Sequence, residues 1–217
     1  MKITVLPVTM FAQNCSILGC DLTNEAAIVD PGGDLDQIIE QLQGQSLVAK
    51  KIFLTHGHVD HCAGAPELAQ RLNIPIEGPH PDDAFWLERL PQAARQYGFP
   101  PAKAFTPDRW LHDANTVHFG AQSMQVIHCP GHTPGHVVFF HALDRVAFVG
   151  DVLFAGSIGR TDFPRGNHAQ LLSSIRDKLW PLGNDVTFVP GHGPISTFGQ
   201  ERRSNPFVGD FAFARRA

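Results

Sequence analysis

Four side chains able to hold a metal ion crowd into six consecutive positions, His56-Gly57-His58-Val59-Asp60-His61, where the apolar run 51–55 ends. In an extended segment His56 and His58 share a face, because successive side chains alternate sides. Gly57 frees the backbone to turn, which brings Asp60 and His61 round to a neighbouring position. One short loop is therefore expected to supply ligands to two ions. The count of 12 histidines in 217 residues, against one tyrosine and three methionines, gains a reason.

Three more candidates follow predicted strands: His132 after 124–128 and Cys129-Pro130-Gly131, Asp151 after 146–150, and His192 after 185–189 and Pro190-Gly191. In each case a stiff strand fixes direction, a glycine releases the backbone, and a histidine or carboxylate projects at the sheet edge, an arrangement that holds ligands to a required geometry. One histidine at a strand end is ordinarily just a hydrogen-bonded residue. Burying two carboxylates beside five imidazoles is different, because without cations each buried charge costs several kcal/mol of lost hydration.

The other seven histidines, 80, 112, 118, 128, 136, 141 and 168, are expected outside this set. His136 begins the strand after the turn Thr133-Pro134-Gly135 and is expected to support the site without ligating. His128 sits inside a strand, whose alternation points it to the core. Cysteines 15, 20, 62 and 129 form no Cys-x-x-Cys pair, so free thiols are expected, with Cys62 and Cys129 as packing residues.

Around these positions, β-branched and apolar runs punctuated by Gly, Pro, Asn and Asp predict strands at 3–8, 15–20, 26–30, 51–55, 116–119, 124–128, 137–141, 146–150 and 185–189. Helices are expected from Asp34 to Gly44, at 65–72 and at 168–179, each with apolar residues on one face. The Pro-rich, aromatic stretch 78–110 reads as short helices and turns over the core, packing there or walling a cleft. No low-complexity linker divides the chain, so one α/β (α+β) domain over 1–217 is expected, with a frayed Ala-Arg-Arg-Ala end.

A formal net charge of −4 and a pI of about 6.3 provide no basic field for nucleic acid or an anionic membrane. The start has only a short apolar run before Pro7, too little for a signal-peptide core or a membrane span, so a cytoplasmic protein is expected.

His56-x-His58-x-Asp60-His61 followed by His132, Asp151 and His192 resembles the binuclear site of the metallo-β-lactamase superfamily. The resemblance implies a four-layer αβ/βα sandwich of two mixed β-sheets flanked by helices. It also implies a first metal on His56, His58 and His132, a second on Asp60, His61 and His192, and Asp151 bridging. Asp30-Pro31-Gly32-Gly33, Cys129-Pro130-Gly131-His132-Thr133-Pro134-Gly135-His136, Gly150-Asp151-Val152-Leu153-Phe154 and Pro190-Gly191-His192-Gly193-Pro194 are similar to the glyoxalase II (hydroxyacylglutathione hydrolase) group. The segment 159–167 and Asn205-Pro206-Phe207 resemble its short YcbL-like members, which lack the C-terminal helical domain.

That group implies hydrolysis of S-lactoylglutathione or related hydroxyacyl thioesters, with two divalent ions, zinc or alternatively iron or manganese. A water shared by two dications is acidified to a pKa of about 7 and supplies hydroxide as nucleophile. Asp60 is the expected catalytic residue that orients it, and Arg160 a candidate for a substrate carboxylate. A net positive site favours a small anionic thioester, glutathione-linked, as partner. The alternatives are a mononuclear iron persulfide dioxygenase, whose relatives share the Gly-Arg-Thr-Asp-Phe segment, and a lactonase or other hydrolase of the superfamily.

Overall fold

The computed structural model describes residues 1–214; the last three, within the tail expected to be frayed, lie outside the described residues. Two mixed sheets stack face to face. The first runs in the order β1 (Lys2–Val8), β2 (Gln13–Gly19), β3 (Glu25–Val29), β4 (Val48–Phe53) and β5 (Ile76–Glu77). The second contains β6 (Thr116–Phe119), β7 (Gln122–His128), β8 (Val137–His141), β9 (Val146–Gly150), β12 (Thr187–Pro190) and β13 (Ser196–Thr197), with a separate hairpin of β10 (Leu153–Phe154) and β11 (Ser157–Ile158) between.

Alternation along the strands sorts side chains into three apolar layers. On β2, Cys15 and Ile17 face one way and Leu18 the other. The first layer packs the outside of the first sheet against α1 (Leu35–Gly44) through Ile38 and Leu42, and against α3 (Ala65–Leu72) through Ala65 and Leu68; the four-residue turn α2 (Val59–Cys62) lies between them. The middle layer joins the sheets through Phe53, Phe139 and Phe148. The third packs Val138, Phe140 and Val149 against Leu171, Ile175 and Leu179. Each buried Val, Leu, Ile or Phe among them contributes about 1.5–3 kcal/mol. Helix, sheet, sheet, helix is the expected four-layer sandwich.

The stretch 78–110 satisfies both of its expected roles. Its helices α4 (Ala84–Glu88) and α5 (Leu90–Tyr97) bury Leu87, Leu90 and Ala94 in the first layer, while Trp86, Ala93 and Tyr97 face a cleft. The helix expected over 168–179 is α6 (His168–Ser173), continuing as wider π turns at Ser174–Leu179. Two further helices, α7 (Phe198–Ser204) and α8 (Asp210–Ala214), follow β13.

Parallel pairing decides where the chemistry emerges. β3 and β4 run parallel, so Asp30 and Thr55 leave the first sheet at one edge. β9 and β12 run parallel in the second sheet, so Asp151 and the His192 loop leave together. Asn14 of the first sheet holds that loop across the seam: its backbone N–H donates to Gly191 O at 2.7 Å, and its Nδ2 donates to Pro190 O at 3.0 Å and Gly193 O at 2.9 Å.

One expectation fails. His128 does not point into the core; it is half-buried at the end of β7, where its ring stacks on His80 and its Nε2–H donates to the carbonyl of Pro134 at 2.8 Å. The strand ends there, so alternation no longer ties the side chain to the layer between sheets.

Candidate metal centre

All seven expected residues converge at the shared edge of the two sheets. The donor atoms of His56, His58 and His132 gather within 4.8 Å of one another, and those of Asp60, His61 and His192 do likewise. Within the first group His58 Nδ1 lies 3.1 Å from His56 Nε2 and 2.9 Å from His132 Nε2. Within the second, Asp60 Oδ2 lies 3.1 Å from His192 Nε2 and 3.6 Å from His61 Nε2. Asp151 sits between: Oδ1 is 3.3 Å from His61 Nε2, and Oδ2 is 3.5 Å from His132 Nε2 and 3.8 Å from His192 Nε2. Four nitrogen or oxygen ligands placed tetrahedrally around a dication stand about 3.3 Å apart, so the spacing fits.

The second ring nitrogens make the fit chemical. His132 Nδ1–H donates to Arg160 O at 2.7 Å, His192 Nδ1–H to Phe11 O at 3.2 Å, and His61 Nδ1–H to Asp30 Oδ2 at 2.9 Å. Thr55 spends its hydroxyl proton on Asp30 Oδ2 at 2.6 Å, so it accepts from His56 Nδ1–H at 3.0 Å. Four imidazoles are thus fixed in one tautomer, with bare Nε2 atoms aimed at the centre, as outer partners do around bound metals. His58 faces the centre with Nδ1. The residues present suit a dinuclear metal site.

Electrostatics agrees. Burial, then neighbouring imidazoles, push His56 and His58 well below the ordinary histidine value, and burial lowers His132 and His136 as well. A lowered value favours the neutral ring that ligation by His56, His58 and His132 requires. His61 goes the other way: burial opposes its charge, but Asp151 and Asp60 override that and raise it. Asp151 is held well below the carboxylate range despite burial, by His61 first.

Close approach leaves room for nothing but glycine at two turns. A Cβ on Gly191 would stand 2.1 Å from Asp151 Oδ1, and one on Gly32 would stand 1.6 Å from the carbonyl oxygen of Asp60.

Two supporting carboxylates escaped the sequence reading. Asp30, at φ 52° after β3, accepts from Thr55 N, Thr55 Oγ1 and His61. Its place in Asp30-Pro31-Gly32-Gly33, at a strand end like Asp151, was the available signal. Asp83 is fully buried in the 78–110 stretch and accepts from Gly57 N at 2.9 Å, Thr133 Oγ1 at 2.8 Å and Gly135 N at 2.6 Å. It ties the His56–His58 loop to the His132 loop. Burial pushes it up to about 7, against those three donors. Nothing local marks it off from its neighbour Asp82. His136 does support the site: its Nε2 accepts from the backbone N–H of Asp151 at 3.0 Å, and its ring stacks on His56. The four cysteines are free and buried.

Above the centre lies a cleft of about 520 Å³, walled by Phe11, Trp86, Tyr97, Phe154 and Phe163. Arg160 is exposed at its rim, paired through two nitrogens with Asp162 and 4.4 Å above the Phe163 ring.

Comparison with known proteins points the same way. The sequence model of the metallo-beta-lactamase superfamily matches residues 8–192. A hydroxyacylglutathione hydrolase, GloC of Haemophilus influenzae, is 46% identical over 209 residues, covering 96% of this chain and 98% of that protein. The crystal structure of the B3 metallo-beta-lactamase BLEG-1 superposes with a TM-score of 0.88 at 36% identity, covering 95% and 99% of the two chains. TTHA1623 in a di-iron-bound form superposes with a TM-score of 0.86 at 33% identity, covering 94% and 100%.

Proposed function

This chain belongs to the metallo-beta-lactamase superfamily and is a hydrolase, and from that premise we propose that it cleaves hydroxyacyl-glutathione thioesters such as S-lactoylglutathione. The observation that carries the reading is the convergence of four tautomer-fixed Nε2 atoms and His58 Nδ1 on Asp60 and Asp151. The substrate class rests on the 46% identical hydroxyacylglutathione hydrolase.

In this reading His56, His58 and His132 would hold one divalent ion and Asp60, His61 and His192 a second, with Asp151 between the two groups available to both. Bound there, two such ions acidify water to a pKa of about 7 and polarise the thioester carbonyl. Asp60 accepts a hydrogen bond from the attacking water through the oxygen not turned to His192, fixing its lone pair toward the carbonyl carbon. The departing thiolate is stable, since a thiol has a pKa of about 8.5, so no general acid is required. With two dications held there, the two carboxylates Asp60 and Asp151 would leave the floor net positive, which would favour an anionic thioester. The aromatic walls exclude bulk water, and Arg160 at the rim meets a glutathione carboxylate. Zinc suits the nitrogen and oxygen donors; iron and manganese do as well, and TTHA1623 holds iron.

No helix of the described residues is long and apolar enough to cross a membrane. Four free thiols suit the reducing cytoplasm, where we place the protein.

The test is thiol release from S-lactoylglutathione by protein whose metal content is measured in the same sample. Hydrolysis that scales with occupancy supports the reading. Oxygen uptake with glutathione persulfide and no thioester cleavage would replace it with a persulfide dioxygenase.

A further inference from the structure

Away from the cleft, three histidines that the hydrolytic reading leaves idle gather behind the loop carrying His132. His80 precedes the 3-10 turn Pro81–Asp83, His112 lies ahead of β6, and His128 ends β7. The His80 and His128 rings stack with centroids 4.1 Å apart, and His112 meets His80 edge-on at 5.0 Å. Asp82 adds a carboxylate: its Oδ2 is 3.3 Å from His80 Nδ1, and the donor atoms of His80, Asp82 and His128 lie within 4.8 Å of one another.

Two observations set this cluster apart from histidines that merely meet on a surface. The Nε2–H of His128 is committed to the Pro134 carbonyl, which leaves its Nδ1 lone pair bare, the arrangement in which histidine ligates. The backbone of each histidine is also pinned: His80 N donates to Gly135 O at 3.0 Å, His128 N to Asp113 Oδ1 at 2.7 Å, and His112 N to Asn115 Oδ1 at 3.0 Å. Burial first, then the neighbouring His128, lowers His80 and favours the neutral ring a metal needs.

We propose that His80, Asp82 and His128 form a separate peripheral site for a divalent transition metal such as Zn²⁺ or Ni²⁺. Imidazole donors select such ions over Ca²⁺ and Mg²⁺, which take oxygen shells. Stacked rings carry their in-plane lone pairs side by side, so binding tilts His80 out of the stack until the two converge. The ion then sits behind Thr133-Pro134-Gly135 and braces that loop from outside, since His80 and His128 are held by the carbonyls of Gly135 and Pro134. This site does not depend on the hydrolytic reading.

Equilibrium dialysis of the full chain against Zn²⁺ or Ni²⁺, comparing wild type with the His80→Ala/His128→Ala double variant, tests it. Wild type is expected to take up one more ion per chain than the double variant. Equal uptake overturns the proposal. Should the variant not fold, histidine-ring ¹⁵N spectra of wild type decide: Zn²⁺ added beyond the occupancy of the cleft shifts a ring nitrogen of His80 and Nδ1 of His128 together, and unmoved signals overturn it. If instead the cleft holds fewer ions than proposed, both proteins lose those equally and the difference of one ion stands.

Discussion

His61 Nε2 lies 3.3 Å from Asp151 Oδ1, and both atoms are buried without a hydrogen-bond partner. His61 cannot donate there while its Nδ1–H serves Asp30, unless the ring takes a second proton. Either a proton or a cation resolves this contact, and the bare nitrogens around it favour the cation.

Replacing Asp151 tests that resolution. Asp151→Ala is expected to lower metal content and abolish thioester hydrolysis, and Asp60→Ala to empty the Asp60, His61 and His192 position more than the other. Mass-spectrometric metal analysis on the assayed samples reads both. Full occupancy with normal hydrolysis in Asp151→Ala removes Asp151 as the shared ligand.

Asp83→Ala strips the acceptor from Gly57 N–H, Gly135 N–H and the Thr133 hydroxyl at once. Each donor left unpaired in the interior costs about 1–3 kcal/mol, and with water relieving some, a loss of about 3–5 kcal/mol is expected by urea denaturation. Asp83→Asn keeps one acceptor and is expected to fall between. A loss under about 1 kcal/mol would mean that the two loops hold themselves.

The metal-depleted protein should be most stable near pH 6.5, the ordinary histidine value. His56, His58, His132 and His136 are depressed, so below that pH the unfolded chain binds more protons and stability falls on acidification. His61 and His192 are raised, so above it the folded chain binds more protons and stability falls again as the pH climbs through their folded values. Each proton contributes up to about 1.4 kcal/mol per pH unit. Denaturant melts after chelation, from about pH 5 to about pH 8, would contradict this by rising or falling throughout.

Arg160 is paired with Asp162, so the substrate contact proposed for it has a readable counterpart. Arg160→Ala is expected to raise KM for a glutathione thioester about two- to fivefold, the size of one exposed ion pair, with kcat unchanged. Asp162→Ala frees the guanidinium and is expected to lower KM. Steady-state kinetics in which neither KM moves would leave Arg160 a surface residue.

Most of the scaffold was legible because strands bury both faces here, giving apolar runs such as Val137–His141 and Val146–Gly150 whose ends coincide with glycine or histidine. The seven converging residues were legible for the same reason. Two-residue strands such as Ile76–Glu77 leave no periodicity to read. The wide turns at Ser174–Leu179 were hidden because Leu171, Ile175 and Leu179, four apart, suit a regular helix as well. Asp83 was illegible because its partners lie 26, 50 and 52 positions away, and sequence carries no sign of a bond at that distance. His128 misled because alternation governs a strand's interior and lapses at its last residue.

The two donor groups each straddle the seam that Asn14 closes: His56, His58, Asp60 and His61 come from one leaf, and His132 and His192 from the other. Neither half-sandwich owns a complete donor group. Under the proposed metal assignment, a nascent chain with only the amino-terminal leaf assembled holds two of the three donors of each group, and docking of the second leaf supplies the third.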